Sequence, residues 1–578
     1  MSLPQTMTGA AAASSAKTRS CSWGLALVLS LGLLMQLPTL RIGFFADDYG
    51  HQLTLRSDGL TSIPRWSLYD FGRAPQWAAF SRGGYSLLPW WTDRDWQIRF
   101  FRPLTSLSLR LDYALWNREP LGYHVTSLVL WMVLLVLVHR LYEALGLPPR
   151  VAILGLLVFA LSHASSFPVG WIAHRNSVLE ALFAVSAVLA ALRGGVGTAL
   201  TLGLAAALSK ESGGVALLLV AAIFHARGRT RSACVALFAF GAHLTFLVWG
   251  GYGARSLYYV TPWIAPVSFL KNLGLLASGG VLALLTPAPL EVFLSVPRSV
   301  LLALSLLVGW PLAVAILRRV PRGEARVLLG AWTVLFLLPQ GGAPPGDRLL
   351  FVPAIGAAGL LAMAWSAERA RWSELSLFRR AGAWALALSV TVGSGLYLLN
   401  LNANILPGMA YHVREKTRAT DVGPRIGGRR DVLVLQTESQ LQALTLSWTW
   451  HAEVDDESVH FALLQSGRRG LRWTRTDERT FELEALRSCF LDTPLEGVFL
   501  TSTALKAGTR WRTPDFEVEA LTLDEGCFRR FRVTLDRSLD DPSLRFVRPV
   551  EGVLSRIEPP AVGTTLELPA VEPTSFVP

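Results

Sequence analysis

Apolar residues fill the first 400 positions of this 578-residue chain in blocks long enough to cross a bilayer, roughly 17 to 25 residues each, with short polar breaks between them. The blocks fall at 23–40, 123–139, 150–167, 176–192, 196–209, 212–226, 232–250, 299–317, 327–340, 348–366 and 381–399. The stretch 269–297 is apolar as well, but Gly279-Gly280, Pro287 and Pro289 interrupt it. It is expected to be re-entrant or to form two short helices. The pattern predicts an all-α polytopic membrane region over 23–404 with about 11 to 13 transmembrane helices.

Past residue 405 the period changes from helical to alternating. Arg472-Trp473-Thr474-Arg475, Thr480-Phe481-Glu482-Leu483-Glu484, Asp515-Phe516-Glu517-Val518-Glu519 and Arg530-Phe531-Arg532-Val533 place every second residue on one face, as strands do. A soluble β-rich or α+β domain is expected over 405–557, followed by a Pro-rich tail, 558–578. Its cysteines, Cys489 and Cys527, are disulfide candidates in an oxidising compartment. Cys21 and Cys234 read as membrane residues with no partner.

Composition agrees with the membrane reading, since 51% of residues are hydrophobic and 17% charged, against about a quarter charged in soluble proteins. The net charge of +12 sits in short loops between apolar blocks, which is a topological signal and not a nucleic-acid footprint. With the 1–22 tail and its Lys17 and Arg19 cytoplasmic, 23–40 becomes a retained signal anchor. The positive-inside rule then puts Arg140, Arg150, Arg193, Arg227, Arg229, Arg231, Arg318, Arg319, Arg369 and Arg371 inside and the C-terminal domain outside, periplasmic in a bacterial inner membrane. The first outer loop, 41–122, carries Trp66, Trp77, Trp90, Trp91 and Trp96, which suit helices lying in the interface.

That topology gathers ionisable residues at the outer edge: Asp47, Asp48, Arg102, His124, His163, His174, Arg175, Lys210, Glu211, Lys271, Asp347 and Arg348. Cations in short outer loops are what the charge rule disfavours, and a lipid phosphate would give them a partner. Only five of the 54 basic residues are lysines, so Lys210 at such a loop stands out.

Phe101-Arg102-Pro103-Leu104 with Leu121-Gly122-Tyr123-His124, His163 with Trp171-Ile172-Ala173-His174-Arg175, Leu208-Ser209-Lys210-Glu211-Ser212-Gly213, and Asp347-Arg348-Leu349-Leu350-Phe351-Val352-Pro353 occur in that order. Together they resemble membrane glycosyltransferases of the GT-C superfamily, most of all the protein O-mannosyltransferase-like branch that includes the transmembrane TPR-containing mannosyltransferases. The chain departs from that branch in lacking a 34-residue repeat after residue 405. The resemblance implies transfer of a sugar from a polyprenyl-phosphate donor to an acceptor on the extracytoplasmic face, with Asp47-Asp48 in the place of the family's acidic pair. The acceptor, whether protein, lipid or polysaccharide, stays open.

Chemistry fits those residues. Departure of a phosphate leaves an oxocarbenium-like sugar and gathers negative charge on the leaving group, which needs cations more than a general acid. Arg348 and Lys210 are expected to neutralise the lipid phosphate, with Arg102, Arg175 and Glu211 completing the donor site. Asp47 is expected to remove the acceptor proton in an inverting, in-line attack, and Asp48 to orient it. His124, His163 and Asp347 are expected to support the site. The histidines lack zinc spacing, so no metal is predicted, although two adjacent carboxylates leave room for a divalent cation. The ordinary readings are a solvated helix end for the Asp pair, a salt-bridged loop tip for Lys210-Glu211, an interface anchor for Arg348 and packing roles for the histidines. A transporter or lipid flippase and a non-catalytic membrane scaffold presenting the C-terminal domain are the competing functions.

Overall fold

The computed structural model describes residues 7–56, 64–73, 88–424, 428–502, 506–524 and 527–572, with side chains from Ser22 onward. The chain forms two compact units. One comprises residues 1–41, 102–249 and 267–406; the other comprises 42–101, 250–266 and 407–578.

The first unit is helical. Among the described residues eight helices are long and apolar enough to cross a membrane: Ser22–Arg41, Pro120–Ala144, Ile172–Leu192, Thr230–Trp249, Pro266–Ala283, Arg298–Arg319, Asp347–Ala370 and Leu377–Arg418, whose last turns belong to the second unit. Pro149–Ala160 and His163–Gly170 form a further span bent by 59°. Val196–Ser209 and Glu211–Ala226 are shorter apolar helices. Every expected apolar block is helical.

The core of this unit runs through Trp131, Tyr142, Phe159, Phe224, Trp332, Phe336 and Phe351, all buried. Burial away from water favours pairing of polar side chains inside it, and one such network crosses the unit. Gln36 donates to Ser165 Oγ at 2.8 Å, Ser166 to Asn402 Oδ1 at 2.6 Å, and Asn402 Nδ2 to Gln36 Oε1 at 2.8 Å, which ties the first, bent and last spans together.

Over the interrupted stretch 269–297 the chain forms two helices, Pro266–Ala283 and the single turn Leu290–Leu294, with Pro287 and Pro289 in the break between them. Gly279-Gly280 does not break the helix, because the glycines serve close packing. A Cβ on Gly279 would stand 2.3 Å from Leu290 and one on Gly280 2.9 Å from Leu350. The carbonyl of Ala283 lies 3.2 Å from the His163 ring, while a Cβ on Gly341 would meet Phe269 and Leu273 at 3.1 to 3.2 Å.

The second unit is α/β. Four strands, β4 (Arg430–Val434), β5 (Val459–Leu463), β11 (Leu544–Val550) and β12 (Val553–Ile557), form a sheet in the order β12-β11-β4-β5. β4 is parallel to both neighbours, and helix Gln440–Glu453 makes the crossover to β5. All five residues of β4 are buried, as a central parallel strand requires. Six antiparallel strands, β6 (Leu471–Arg475), β7 (Thr480–Ala485), β8 (Arg510–Arg512), β9 (Phe516–Asp524), β10 (Cys527–Leu535) and β13 (Thr565–Leu568), are ordered β13-β6-β7-β10-β9-β8. A third sheet pairs β1 (Asp70–Arg73), β2 (Gln97–Arg99) and β3 (Gly253–Arg255).

Three expectations change here. The described part of the expected tail, 558–572, is not separate, since β13 pairs with β6 in register Thr565 to Thr474; 573–578 lie outside the described residues. Residues 42–101 belong with the C-terminal residues and not with the helical region. Trp90, Trp91 and Trp96 are not an interfacial belt but are buried in the hydrophobic core of this unit. Trp90 packs 5.1 Å from Phe531, and the indole N–H of Trp96 donates to the Val498 carbonyl at 2.8 Å. Trp66 is exposed, and Trp77 lies outside the described residues. Cys489 and Cys527 are joined in a disulfide; Cys234 is free and exposed.

Candidate active site

Arg102, Lys210 and Arg348 lie near one another in the helical unit, around His174. Helix Val196–Ser209 ends at Lys210, and the following turn, Glu211–Gly214, packs so tightly that a Cβ on Gly213 would lie 2.1 Å from the Ala206 carbonyl. That close approach requires glycine and fixes where the Lys210-Glu211 pair points. The Lys210 ammonium donates to Ser177 Oγ at 3.0 Å and lies 3.4 Å from Glu180, itself bonded to Ser212 at 2.5 Å. Arg102, before helix Pro103–Trp116, grips Glu211 through Nε at 3.0 Å and Nη2 at 2.9 Å. Lys210 and Glu211 thus serve different partners, as residues about 100° apart on a helical path do.

Arg348 enters from the turn Asp347–Leu350 that begins the next long span. The residue is half-buried, its guanidinium flanks Gly346 beside Glu291, and among the described residues it makes no ion pair within 4 Å. Burial, with the neighbouring Asp347 carboxylate, pushes Glu291 above the usual carboxylate range, which weakens its claim on Arg348. The charges of Lys210, Arg348 and Arg102 all bear on the buried His174 ring. The structure brings together Arg102, Lys210, Glu211 and Arg348, and adds His174.

His163 and Asp347 form a pair of their own, with Nδ1 2.6 Å from Oδ2. Asp347 also accepts from the Leu290 N–H at 3.3 Å and donates its own N–H to Glu291 at 2.9 Å. This cluster holds the turn from which Arg348 projects. His124 is wholly buried in its helix.

Arg175 has a different environment from the one expected. It is 0% exposed. Its guanidinium is enclosed by the Asp112 carboxylate, Ser127 Oγ at 3.1 Å, Ser108 Oγ at 3.2 Å and the Tyr123 carbonyl at 2.7 Å. With its N–H groups directed to these partners, it braces three helices and has no face for a lipid phosphate. Its apparent kinship with the outer cations came from its position next to His174.

Asp47 and Asp48 head helix Asp47–Leu55 in the other unit, where the helix dipole favours negative charge. They differ sharply. Asp48 is 2% exposed and accepts the Phe45 N–H at 2.9 Å, closing the turn into the helix. Asp47 is half-exposed. The residue before them, Ala46, adopts φ 48° and ψ −116°, a conformation that strains any side chain. Such strain costs about 1–3 kcal/mol and persists where the surroundings dictate it, often at functional sites. Gly50 lets the helix lie against Trp448, since a Cβ there would stand 3.3 Å from its ring. Burial, and then Glu453, push the Tyr49 hydroxyl well above its usual range, so it stays protonated at the base of this turn.

Among the described residues no group of three or more His, Cys, Asp or Glu side chains could hold a metal ion. Sequence reasoning missed Glu180, Ser177, Glu291 and the strained Ala46. Glu180 had a signal, being a lone acid inside an apolar block.

The chain is therefore an integral, multi-pass helical membrane protein carrying an α/β unit, with a cation cluster at one end of its helices. Among solved structures it is similar in fold to ArnT from Cupriavidus metallidurans. In the apo state that likeness has a TM-score of 0.40 at 14% identity, covering 77% of this chain and 90% of that one. With undecaprenyl phosphate bound the TM-score is 0.39 at 13% identity, covering 76% and 90%. The oligosaccharyltransferase from Archaeoglobus fulgidus, tethered with an acceptor peptide, is similar at a TM-score of 0.36 and 13% identity, covering 76% of this chain and 63% of that one. No family model and no curated protein matches the chain.

Proposed function

We propose that this protein is a GT-C-type glycosyltransferase that takes a sugar from a polyprenyl-phosphate carrier and delivers it to an acceptor on the extracytoplasmic face. The observation that carries this reading is the convergence of Arg102, Lys210, Arg348 and His174 at one end of an apolar helical unit. Two of the three cations pair with a carboxylate, Glu180 or Glu211, whereas among the described residues Arg348 forms no ion pair within 4 Å, so its guanidinium has room for a further anion. A lipid phosphate supplies that charge where its tail meets the helices.

In this mechanism the acceptor oxygen or nitrogen attacks the anomeric carbon, the carbon–oxygen bond to phosphate breaks, and its electron pair leaves on the phosphate. Lys210, Arg102 and Arg348 stabilise that charge. Asp47 takes the acceptor's proton, and attack opposite the leaving group inverts the anomeric centre. Asp48 acts through the turn it closes and holds Asp47 in place. Arg175 and His124 support the helices. His163 and Asp347 fix the Arg348 turn. A divalent cation at Asp47 would need ligands beyond this pair, because the Asp48 carboxylate is already committed to Phe45.

The opposite end of the helical unit carries Arg229, bonded to the Gly194 carbonyl at 2.6 Å, and Arg319, 3.5 Å from Glu368. By the positive-inside rule that end is cytoplasmic, which supports placing the cation cluster outside, in a bacterial inner membrane. The test is a mass-spectrometric comparison of lipid-linked sugars and envelope glycans in cells with and without the gene. The expected result is accumulation of one polyprenyl-phosphate sugar when the gene is absent; unchanged pools and unchanged glycans contradict the reading.

A further inference from the structure

The α/β unit contains an open cleft that no step above uses. It opens where β4 and β5 meet the turn before β9 and the turn after β10. Six polar side chains from these four places converge on it: Arg429, Asp431, His460, Asp515, Asp536 and Arg537.

Asp431, nearly buried, organises the rest. It accepts Arg429 Nε at 2.7 Å on one oxygen and lies 2.9 Å from Arg537 Nη1 on the other. Arg429 Nη2 reaches Asp515 at 2.7 Å, Arg537 Nε reaches Asp536 at 3.1 Å, and Arg537 Nη1 also donates to Ser543 Oγ at 3.2 Å. Both guanidiniums are held by two or more partners, and each keeps a terminal nitrogen outside these pairs. Burial, with the charge of Arg429, holds the His460 imidazole below its usual range, so near pH 7 it is a neutral donor and acceptor. Beside these groups the cleft is walled by Trp90, Pro89 and Phe461.

This lining selects among ligands. Two arginines against three aspartates give no excess positive charge, so a phosphate or other strong anion is disfavoured. Asp431 is shared by two arginines and does not suit a cation. Fixed donors and acceptors of both kinds beside apolar walls match a neutral molecule with dense hydroxyls on one side and C–H faces on the other, which describes a saccharide.

We propose that this cleft binds a neutral saccharide, the sugar portion of the acceptor. Its assignment to the acceptor rests on the glycosyltransferase reading, whereas saccharide binding itself stands on the cleft's chemistry. The test uses the full chain in lipid nanodiscs and saturation-transfer NMR with the methyl glycosides of glucose, mannose, galactose and N-acetylglucosamine and with their disaccharides. At least one probe is expected to bind saturably. Asp515→Asn and Arg429→Gln, both at the partly exposed rim, are expected to weaken it about tenfold, or roughly 1.4 kcal/mol, with the thermal midpoint kept. Lys210→Ala is expected to leave it unchanged. No saturable binding by any probe, or binding indifferent to both rim variants, overturns the proposal. Loss of saccharide binding alongside donor accumulation in gene-deficient cells would sink the cleft and spare the transferase; saccharide binding without donor accumulation would do the reverse.

Discussion

Asp47 and Asp48 are neighbours in sequence and opposites in environment, and the proposed chemistry separates them further. Asp47→Asn removes a half-exposed base and is expected to lower kcat by about 10²- to 10⁴-fold with little change in donor KM. Asp48→Asn keeps an oxygen that can accept the Phe45 N–H, so its loss should be at least tenfold smaller, a ranking that steady-state kinetics on both variants would check. Arg348→Gln is expected to raise donor KM about tenfold or more, since a hydrogen bond to a charged group contributes about 1.5–3 kcal/mol. Arg175→Leu should instead fail to fold, because Asp112 would be left buried and unpaired at a cost of about 3–5 kcal/mol; yield and thermal midpoint in detergent would reveal it. At this scale the sequence pointed to the outer cations because topology places them, but it could not sort Arg175 from them. Which side of a helix end a residue faces depends on partners such as Asp112, 63 positions away.

Among the elements, those with a strong period were legible. Every apolar block became a helix, and the alternating segments became β6, β7, β9 and β10. What failed was local punctuation overridden by packing. Gly279-Gly280 read as a break, yet Leu290 and Leu350 fill the space that any side chain there would take. The tryptophans read as an interfacial belt because partners such as Phe531 for Trp90 lie more than 400 residues further on. The Cys489–Cys527 link closes a 38-residue separation and is expected to contribute about 3–4 kcal/mol. Its removal by serine substitution should lower the denaturation midpoint of the α/β unit and abolish the gel-mobility shift on reduction. The turn after β10 is tied to β6 by Arg475, whose guanidinium holds the Asp540 carboxyl below its usual range. A carboxyl depressed in the folded state adds stability above the unfolded value of about 3.9, and that stability is lost as pH falls through the folded value. Thermal unfolding followed from about pH 5 downward should therefore become less acid-sensitive in Asp540→Asn.

For the whole molecule, the division into units was the least visible feature. Residues 42–101 and 250–266 follow helical segments in sequence but pack with the C-terminal residues, so the chain leaves and re-enters each unit repeatedly. The change of period near residue 405 marks one boundary, but no compositional boundary marks 42–101 and 250–266, whose placement is set by contacts hundreds of residues apart. The chemistry was more visible, since ionisable residues are costly in an apolar chain and those at the outer edge stood out against it. The account depends most on one reaction: cleavage of a polyprenyl-phosphate sugar that requires Asp47. The decisive measurement is donor turnover by mass spectrometry, using the full chain in nanodiscs, the polyprenyl-phosphate sugar that accumulates in gene-deficient cells, and an extract of their envelope as acceptor. The wild type should release polyprenyl phosphate and label the extract, while Asp47→Asn binds the donor equally well and releases almost none. Equal release by the two proteins, or none by the wild type, would contradict the account.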